Sequence, residues 1–403
     1  MKITFFSNFL NHHQLPFCKE MSKKNGVDFK FVATEPVPDE RLKMGYHDMS
    51  TQYSFALNTY SSKNAHEYAI KLANESDVVI IGSAPNFYIK KRIESNKLTF
   101  YYMERIFKKG RHRILNPKTL GYLLFYHSRF KNKNLYMLCA SAYTSADFGL
   151  VGAYRNKAYK WGYFPEVKKY DLNELMDLKN QNKIPKLLWV GRLLDWKHPD
   201  HVIELGRKLR DSGYEFSLDI IGTGPMQSQI KNMIEKNNLQ NQIKLLGSMK
   251  PEQVRVHMEQ ANIFLFTSDF NEGWGAVLNE AMNSGCSVVT SHAIGSVPYL
   301  IKSGSNGLIY KSENINFLTE RVKYLLDNKE ICHKIGINAY KTMSNTWNAE
   351  EAANRLVELS KSLLTGNQLY FEEGPCSKAK KINNNWFGGK KNQYVSKCDS
   401  TGL

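Results

Sequence analysis

The stretch Asn271 to Ser284, NEGWGAVLNEAMNS, places one carboxylate, Glu272, in a glycine-containing loop and a second, Glu280, inside a helical pattern. It follows the apolar run IFLFTS, Ile263 to Ser268, which reads as a short buried strand. A helix starting near Gly275 would point its first free N–H groups beyond the strand's carboxyl end, where they attract anions. A diphosphate suits that position. Glu280 would then lie roughly 7–8 Å further along the axis at ~1.5 Å per residue, which is the scale of a ribose. Two carboxylates accepting hydrogen bonds from hydroxyls beside an anion-binding turn describe a site for a sugar–diphosphate–nucleoside. The competing reading makes Glu280 an ordinary surface acid and Glu272 a first-turn acid favoured by the helix dipole.

Three other places carry candidate chemistry. After KLLWV comes GRLLDWKHPD, whose Arg192 and Lys197 flank a turn where a pyrophosphate without a metal would need cations. IIGTGP ends a strand with Gly222 and Gly224, so that a base or phosphate could approach the backbone, although tight turns use glycine anyway. In the first half, His12 and His13 sit at the first strand-to-helix turn and Glu104 and Arg105 at the end of another strand, as candidates for acceptor contact or proton handling. No D-x-D and no G-x-x-x-x-G-K-[ST] occurs, so neither a carboxylate clamp for a metal-bound sugar nucleotide nor a triphosphatase loop is expected.

The elements that must position these residues alternate. KITFF, Asp28 to Ala33, Val78 to Gly82, Leu98 to Tyr102 and Ala158 to Tyr163 read as strands, with helical stretches such as His66 to Asn74 between them. The pattern restarts at KLLWVGRL and continues through FSLDIIGTGP, IKLLG, IFLFTS, SVVTS and LIY, with helices near 199–212, 227–237 and 251–261. Such alternation predicts an α/β chain with two doubly wound parallel-sheet domains facing an interdomain cleft. The expected boundaries are a first domain over 1–165, a polar linker over 166–185, a second domain over 186–344, an amphipathic helix over 345–365 and a basic tail over 366–403.

At 403 residues and 42% apolar the chain has material for two cores. No run approaches the ~18–20 apolar residues of a membrane span, and the amino terminus begins as a strand, so a cytoplasmic protein is expected. Six scattered cysteines suggest a reducing compartment and no zinc site. The net charge of +17 concentrates between Lys90 and Lys133, where thirteen Lys or Arg face two acids among eight aromatics, including Phe100, Tyr101, Phe107, Tyr122, Phe125 and Phe130. This segment suits anionic lipid headgroups, with nucleic acid as the rival and a solvated basic face as the plainer reading.

EGWGAVLNEAMNSGCSVVTS resembles the E-x7-E signature of the retaining glycosyltransferases of family four, which have the GT-B fold. VGRLLDWKHPD, IIGTGP, IKLLGSM and SGSNGLIY follow in that family's order, covering about Lys186 to Tyr310. The resemblance implies that Arg192 and Lys197 hold the donor diphosphate, Glu280 binds the ribose and Glu272 lies near the donor sugar. Backbone amides from Trp274 through Gly275 and Ala276 to Val277 would hold phosphate or sugar. It implies a metal-independent retaining enzyme with no cofactor, moving a sugar from a nucleoside diphosphate, with UDP expected, to a saccharide or lipid-linked hydroxyl. SNFLNHHQLP, YYMERIF and YKWGYFPE resemble a subgroup associated with bacterial surface polysaccharides such as capsule and lipopolysaccharide. The chain departs from the family at Trp274, where phenylalanine is commoner, at Tyr299, often an acid, and at NHHQ in place of a glycine-rich first turn. A sugar-nucleotide epimerase of the same fold and a basic nucleic-acid-binding protein are the alternatives.

Overall fold

The computed structural model describes residues 1–39, 42 and 48–388. They form two compact units, one of Met1–Glu166 with Trp347–Asn383, the other of Val167–Thr346 with the described residues from Asn384.

The first unit is built on a seven-stranded sheet: β1 (Lys2–Ser7), β2 (Asp28–Ala33), β3 (Ala56–Asn58), β4 (Val78–Ile81), β5 (Thr99–Met103), β6 (Leu135–Cys139) and β7 (Ala158–Lys160). Every neighbouring pair is parallel, in the order β3-β2-β1-β4-β5-β6-β7. VVII and TFYY are buried along their whole length because helices cover both faces. The second unit carries β8 (Lys186–Val190), β9 (Ser217–Ile221), β10 (Ile243–Gly247), β11 (Ile263–Phe266), β12 (Ser287–Ser291) and β13 (Leu308–Tyr310), in the order β10-β9-β8-β11-β12-β13. Chain order reverses beside β1 in the first sheet and beside β8 in the second. Ligands of open α/β sheets bind at such switch points, beyond the strands' carboxyl ends.

Two expected boundaries need correction. The polar stretch 166–185 is no linker: Leu172–Asn180 is a helix capped by the Asp171 side chain, with Leu175 and Met176 buried. Its Lys179 is buried too and donates to the carbonyls of Met258 (2.9 Å) and Ala261 (2.7 Å), which compensates an otherwise costly buried charge. The segment from 366 is not a free tail either. Lys378 pairs with Tyr159 on the open side of β7, Ser377 O accepts from Lys160 N (2.7 Å), and Cys376 is buried in the first unit. Further on, Phe387 packs on the second unit's core, and Trp386 Nε1 donates to His292 O (3.2 Å). Residues 389–403 of the expected tail lie outside the described residues. The expected terminal helix is Ala349–Thr365 and belongs with the first unit.

The basic, aromatic segment splits in two. Phe100, Tyr101 and Phe107 are core residues, and Arg92 is 1% exposed. Its guanidinium donates to the carbonyls of Ala73, Ser76, Asp77 and Leu98 and to Thr99 Oγ1, tying one helix end to the starts of β4 and β5. By contrast, the Pro117–Tyr126 helix buries Leu123 and exposes Leu120, Tyr122, Leu124 and Phe125.

Candidate functional site

In the second unit the switch point lies between the loops that leave β8 and β11. These loops are laced together. Thr267 Oγ1 accepts from Trp189 Nε1 (2.9 Å) and donates to Lys197 O (2.6 Å), and Asp269 N donates to Trp196 O (2.9 Å). The lacing brings Lys197 Nζ to 2.7 Å from Glu272 Oε2, a pair with only 15% and 12% of its side chains exposed. Ser268 Oγ donates to the same oxygen at 3.1 Å. Glu272 Oε1 takes no hydrogen bond among the described residues. A partly buried pair held from three sides is preorganised, and its charges are weakly screened. Arg192 is exposed in the same loop, without an ion pair among the described residues.

The glycine turns have a local cause. At Gly222, with φ 134°, a Cβ would run into the Gly191 carbonyl, and at Gly224 it would lie 2.5 Å from Leu193 O. The loop after β9 therefore packs backbone to backbone against the loop after β8. That contact by itself explains both glycines, so they support the Arg192 and Lys197 loop from behind. Gly275 caps the Ala276–Asn283 helix in the left-handed region at φ 82°, with its missing Cβ facing the Phe266 ring. Leu278 N donates to Gly275 O (2.9 Å), so the amides of Ala276 and Val277 precede the first helical bond.

The Trp274 side chain does not reach a ligand. It is fully buried, donates from Nε1 to Asn279 Oδ1 (2.9 Å), and its carbonyl accepts from Ser296 Oγ (2.5 Å). Only its backbone is left for the role the resemblance implies. Glu280 faces inward enough that burial raises its carboxyl above the usual range, partly countered by the Arg255 guanidinium. Arg255 itself donates to Glu280 O (3.3 Å) and Asn283 Oδ1 (2.9 Å). No sequence pattern marks Arg255, which lies inside the Pro251–Gln260 helix and comes to Glu280 through tertiary packing.

In the first unit, the loop after β1 is an Asx turn in which Asn11 Oδ1 accepts from His13 N (3.0 Å) and Gln14 N (3.1 Å). His12 is exposed. His13 stacks on Tyr163 with centroids 5.7 Å apart and planes 7° apart. The Tyr163 hydroxyl donates to Glu104 Oε1 (2.6 Å), and Lys108 Nζ holds Oε2 (2.6 Å). Tyr163 thus gathers His13 and Glu104, and His12 lies 3.8 Å ring to ring from His13. Arg105 is the exception and a correction. It is buried against Asp147 (3.7 Å) and over the Tyr143 ring (4.5 Å). Burial lowers its pKa and raises that of Asp147, each offset by the other's charge. It holds the loop after β5 and touches no open surface.

Residues 174–342 match the family of glycosyl transferases group 1. This segment is similar to the domain of that family, and the match spans less than half of the chain. It contains every second-unit candidate above. Among curated relatives, the chain is 31% identical over 151 residues to an uncharacterized glycosyltransferase of Methanocaldococcus jannaschii, covering 38% of this chain and 41% of that one. It is 33% identical over 147 residues to the amylovoran biosynthesis glycosyltransferase AmsK of Erwinia amylovora, covering 35% of each. The matches thus span less than half of these relatives. Among solved structures, the Anabaena protein HepE in complex with UDP aligns with a TM-score of 0.67 at 15% identity, over 90% of this chain and all of that one. A glycosyltransferase from Rickettsia africae aligns with a TM-score of 0.65 at 14% identity, over 91% and 99%. At such identities the likeness shows the fold, and the fold is GT-B, as the resemblance implied.

Proposed function

We propose that the chain is a retaining glycosyltransferase of polysaccharide biosynthesis that uses a nucleoside-diphosphate sugar, with UDP as the carrier. The observation that carries this reading is the Lys197–Glu272 pair, held at 2.7 Å where the second unit's sheet order reverses. Relatives named for amylovoran and colanic acid biosynthesis support the pathway class, and UDP bound to HepE supports the carrier. In this reading Lys197, Arg192 and the amides of Ala276 and Val277 hold the diphosphate and stabilise the charge that grows as the C1–O bond breaks. Glu280 accepts from the ribose hydroxyls, and Glu272 faces the sugar through Oε1. The acceptor hydroxyl attacks C1 on the face the diphosphate leaves, and its proton passes to a β-phosphate oxygen. No protein base or metal is required.

His12, His13 and Glu104 are the acceptor-side candidates, with Tyr163 joining them. No described helix is long and apolar enough to cross a membrane. The exposed Leu120, Tyr122, Leu124 and Phe125 beside Lys118 and Arg129 form a surface suited to the anionic face of a membrane that carries a lipid-linked acceptor.

The test is incubation of the chain with UDP-sugars and saccharide or lipid-linked acceptors, with the product's anomeric configuration read by NMR. Transfer with the donor's configuration kept is the expected result. Conversion of the donor to another sugar nucleotide without acceptor would replace the reading with an epimerase.

A further inference from the structure

His198 follows Lys197 directly, in the loop after β8, and faces the loop after β11. It is the N-cap of the Pro199–Asp211 helix, in the left-handed region at φ 51° and ψ 54°, and its side chain makes no cap bond. That backbone is uncommon outside glycine, and the cap position favours Ser, Asp or Asn, so the turn alone does not explain a histidine. The ring lies face to face on His201, with centroids 4.3 Å apart and planes 6° apart. Carboxylates stand off both of its nitrogens: Asp200 Oδ1 is 3.9 Å from Nδ1, and Asp269 Oδ2 is 3.9 Å from Nε2. His201 has one such neighbour, Asp200 Oδ2, 3.9 Å from its Nε2. These separations are too long for hydrogen bonds, yet short enough for a strong field between partly buried charges.

His198 Nε2, Asp200 Oδ1 and His201 Nδ1 are buried without a hydrogen-bond partner among the described residues, and so is the Tyr310 hydroxyl. Buried polar groups are rarely left so, and each calls for a role. Two stacked imidazoles hold one proton more readily than two, because like charges in contact repel. His201 is the poorer place for it. Burial and then the His198 charge push its pKa down, against Asp200 and Glu313, which raise it. The proton of the pair therefore sits on His198, between two carboxylates. The other groups around the ring do not compete: Lys197 is paired with Glu272, and burial holds the Tyr310 hydroxyl neutral by raising its pKa.

Asp269 joins this ring to the donor loop. Its carboxylate accepts from Asn271 N (2.7 Å) and Asn271 Nδ2 (3.0 Å), and its carbonyl accepts from Glu272 N (3.1 Å). The turn that presents Glu272 is thus built on Asp269, while Lys197 is bonded covalently to His198.

We propose that His198 is a positioning residue for the donor site: as an imidazolium it draws Asp269 into a charge-assisted bond, ties the loop after β8 to the loop after β11, and so holds Lys197 against Glu272. The role rests on the donor-site reading above. As pH falls through the range in which histidine takes its proton, the tie forms and the diphosphate is held more tightly.

The experiment is calorimetric titration of the full chain with UDP, with EDTA present, in steps from about pH 8 to about pH 5.5 across the histidine range, on the wild type and on His198→Asn. Asparagine also tolerates the left-handed region and takes no proton. The phosphate of UDP takes a proton in the same range, but equally for both chains, so the ratio of their affinities is the readout. The expected ratio is near one at the alkaline end and rises to about 5-fold or more in favour of the wild type at the acid end. Asp269→Asn, which keeps an acceptor for Asn271, flattens the profile in the same way and supplies the reading if His198→Asn misfolds. His201→Phe keeps a ring in the stack and keeps the gain at acid pH. A ratio that does not change with pH overturns the role. So does an unaltered profile in Asp269→Asn, which would make the imidazolium only an added charge beside the diphosphate. Absence of UDP binding at every pH overturns the donor-site reading and this role with it, whereas binding with a flat ratio overturns this role alone.

Discussion

The two units share a doubly wound parallel sheet, yet they furnish their switch points differently. In the second unit the loops after β8 and β11 are bonded to each other and end in the Lys197–Glu272 ion pair. In the first, the loop after β1 is an Asx turn whose His13 lies on the Tyr163 ring, and that ring's hydroxyl donates to the Glu104 carboxylate. The second unit fixes charges; the first fixes rings. Charges held in place would suit a diphosphate, whereas stacked rings would suit the faces of a sugar. Arg92 and the Arg105–Asp147 pair serve the first unit's frame and Lys179 serves the second's, while Lys197 and Glu272 stand in the loops beyond the second sheet's strands.

The largest expected effect tests that division in the first unit. Arg92→Ala would orphan several buried carbonyls at once and cost on the order of 3–5 kcal/mol, visible as a lower denaturant midpoint. Next, Lys197→Ala and Glu272→Ala should each reduce kcat by about 10²–10³-fold while unfolding near the wild-type midpoint, and the double variant should lose less than the product of the two. Initial rates decide this, and losses of only a few-fold would make the pair a structural bridge like Arg105–Asp147.

Acid should then act on His127 and Glu280 with opposite sign. Burial pushes His127 down to about 3, with Tyr154 Oη 2.6 Å from its Nδ1. The unfolded chain therefore takes that proton first, and stability falls below about pH 6.5 by up to ~1.4 kcal/mol per pH unit. Glu280 runs the other way: its pKa is raised in the folded chain, so the penalty of its buried charge is relieved as pH falls through the raised value. Unfolding measured at stepped pH should show a flatter acid loss for His127→Gln and loss of the relief for Glu280→Gln. The smallest effect on stability belongs to Leu124→Asp and Phe125→Asp, within about 0.5 kcal/mol. Both should nevertheless weaken sedimentation with anionic vesicles at low salt, and unchanged sedimentation would remove the membrane role.

The sequence made the second unit's strands plain because each is a short apolar run closed by glycine or polar turn residues. It hid other features for physical reasons. The Leu172–Asn180 helix looked like a linker because its polar face dominates the composition, although Asp171 as N-cap before an amphipathic stretch was a usable signal. Arg105 looked like a partner of Glu104, yet consecutive residues leaving a strand point to opposite sides, and only packing decides which is buried. Gly222 and Gly224 suggest a ligand turn because one strand's sequence cannot show that its turn lies against another loop's backbone. LYMLC, which forms β6 just beyond the basic segment that ends at Lys133, has no β-branched residue and so carries little strand signal.

The central claim is that the second unit's charges hold a nucleoside diphosphate. Calorimetric titration of the full chain with UDP, GDP and ADP, with EDTA present, tests it most directly when repeated on Glu280→Gln. The account predicts that UDP binds the wild type and binds the variant at least about tenfold more weakly, a difference of ~1.4 kcal/mol. No nucleotide binding at all, or equal binding by the two chains, would contradict it.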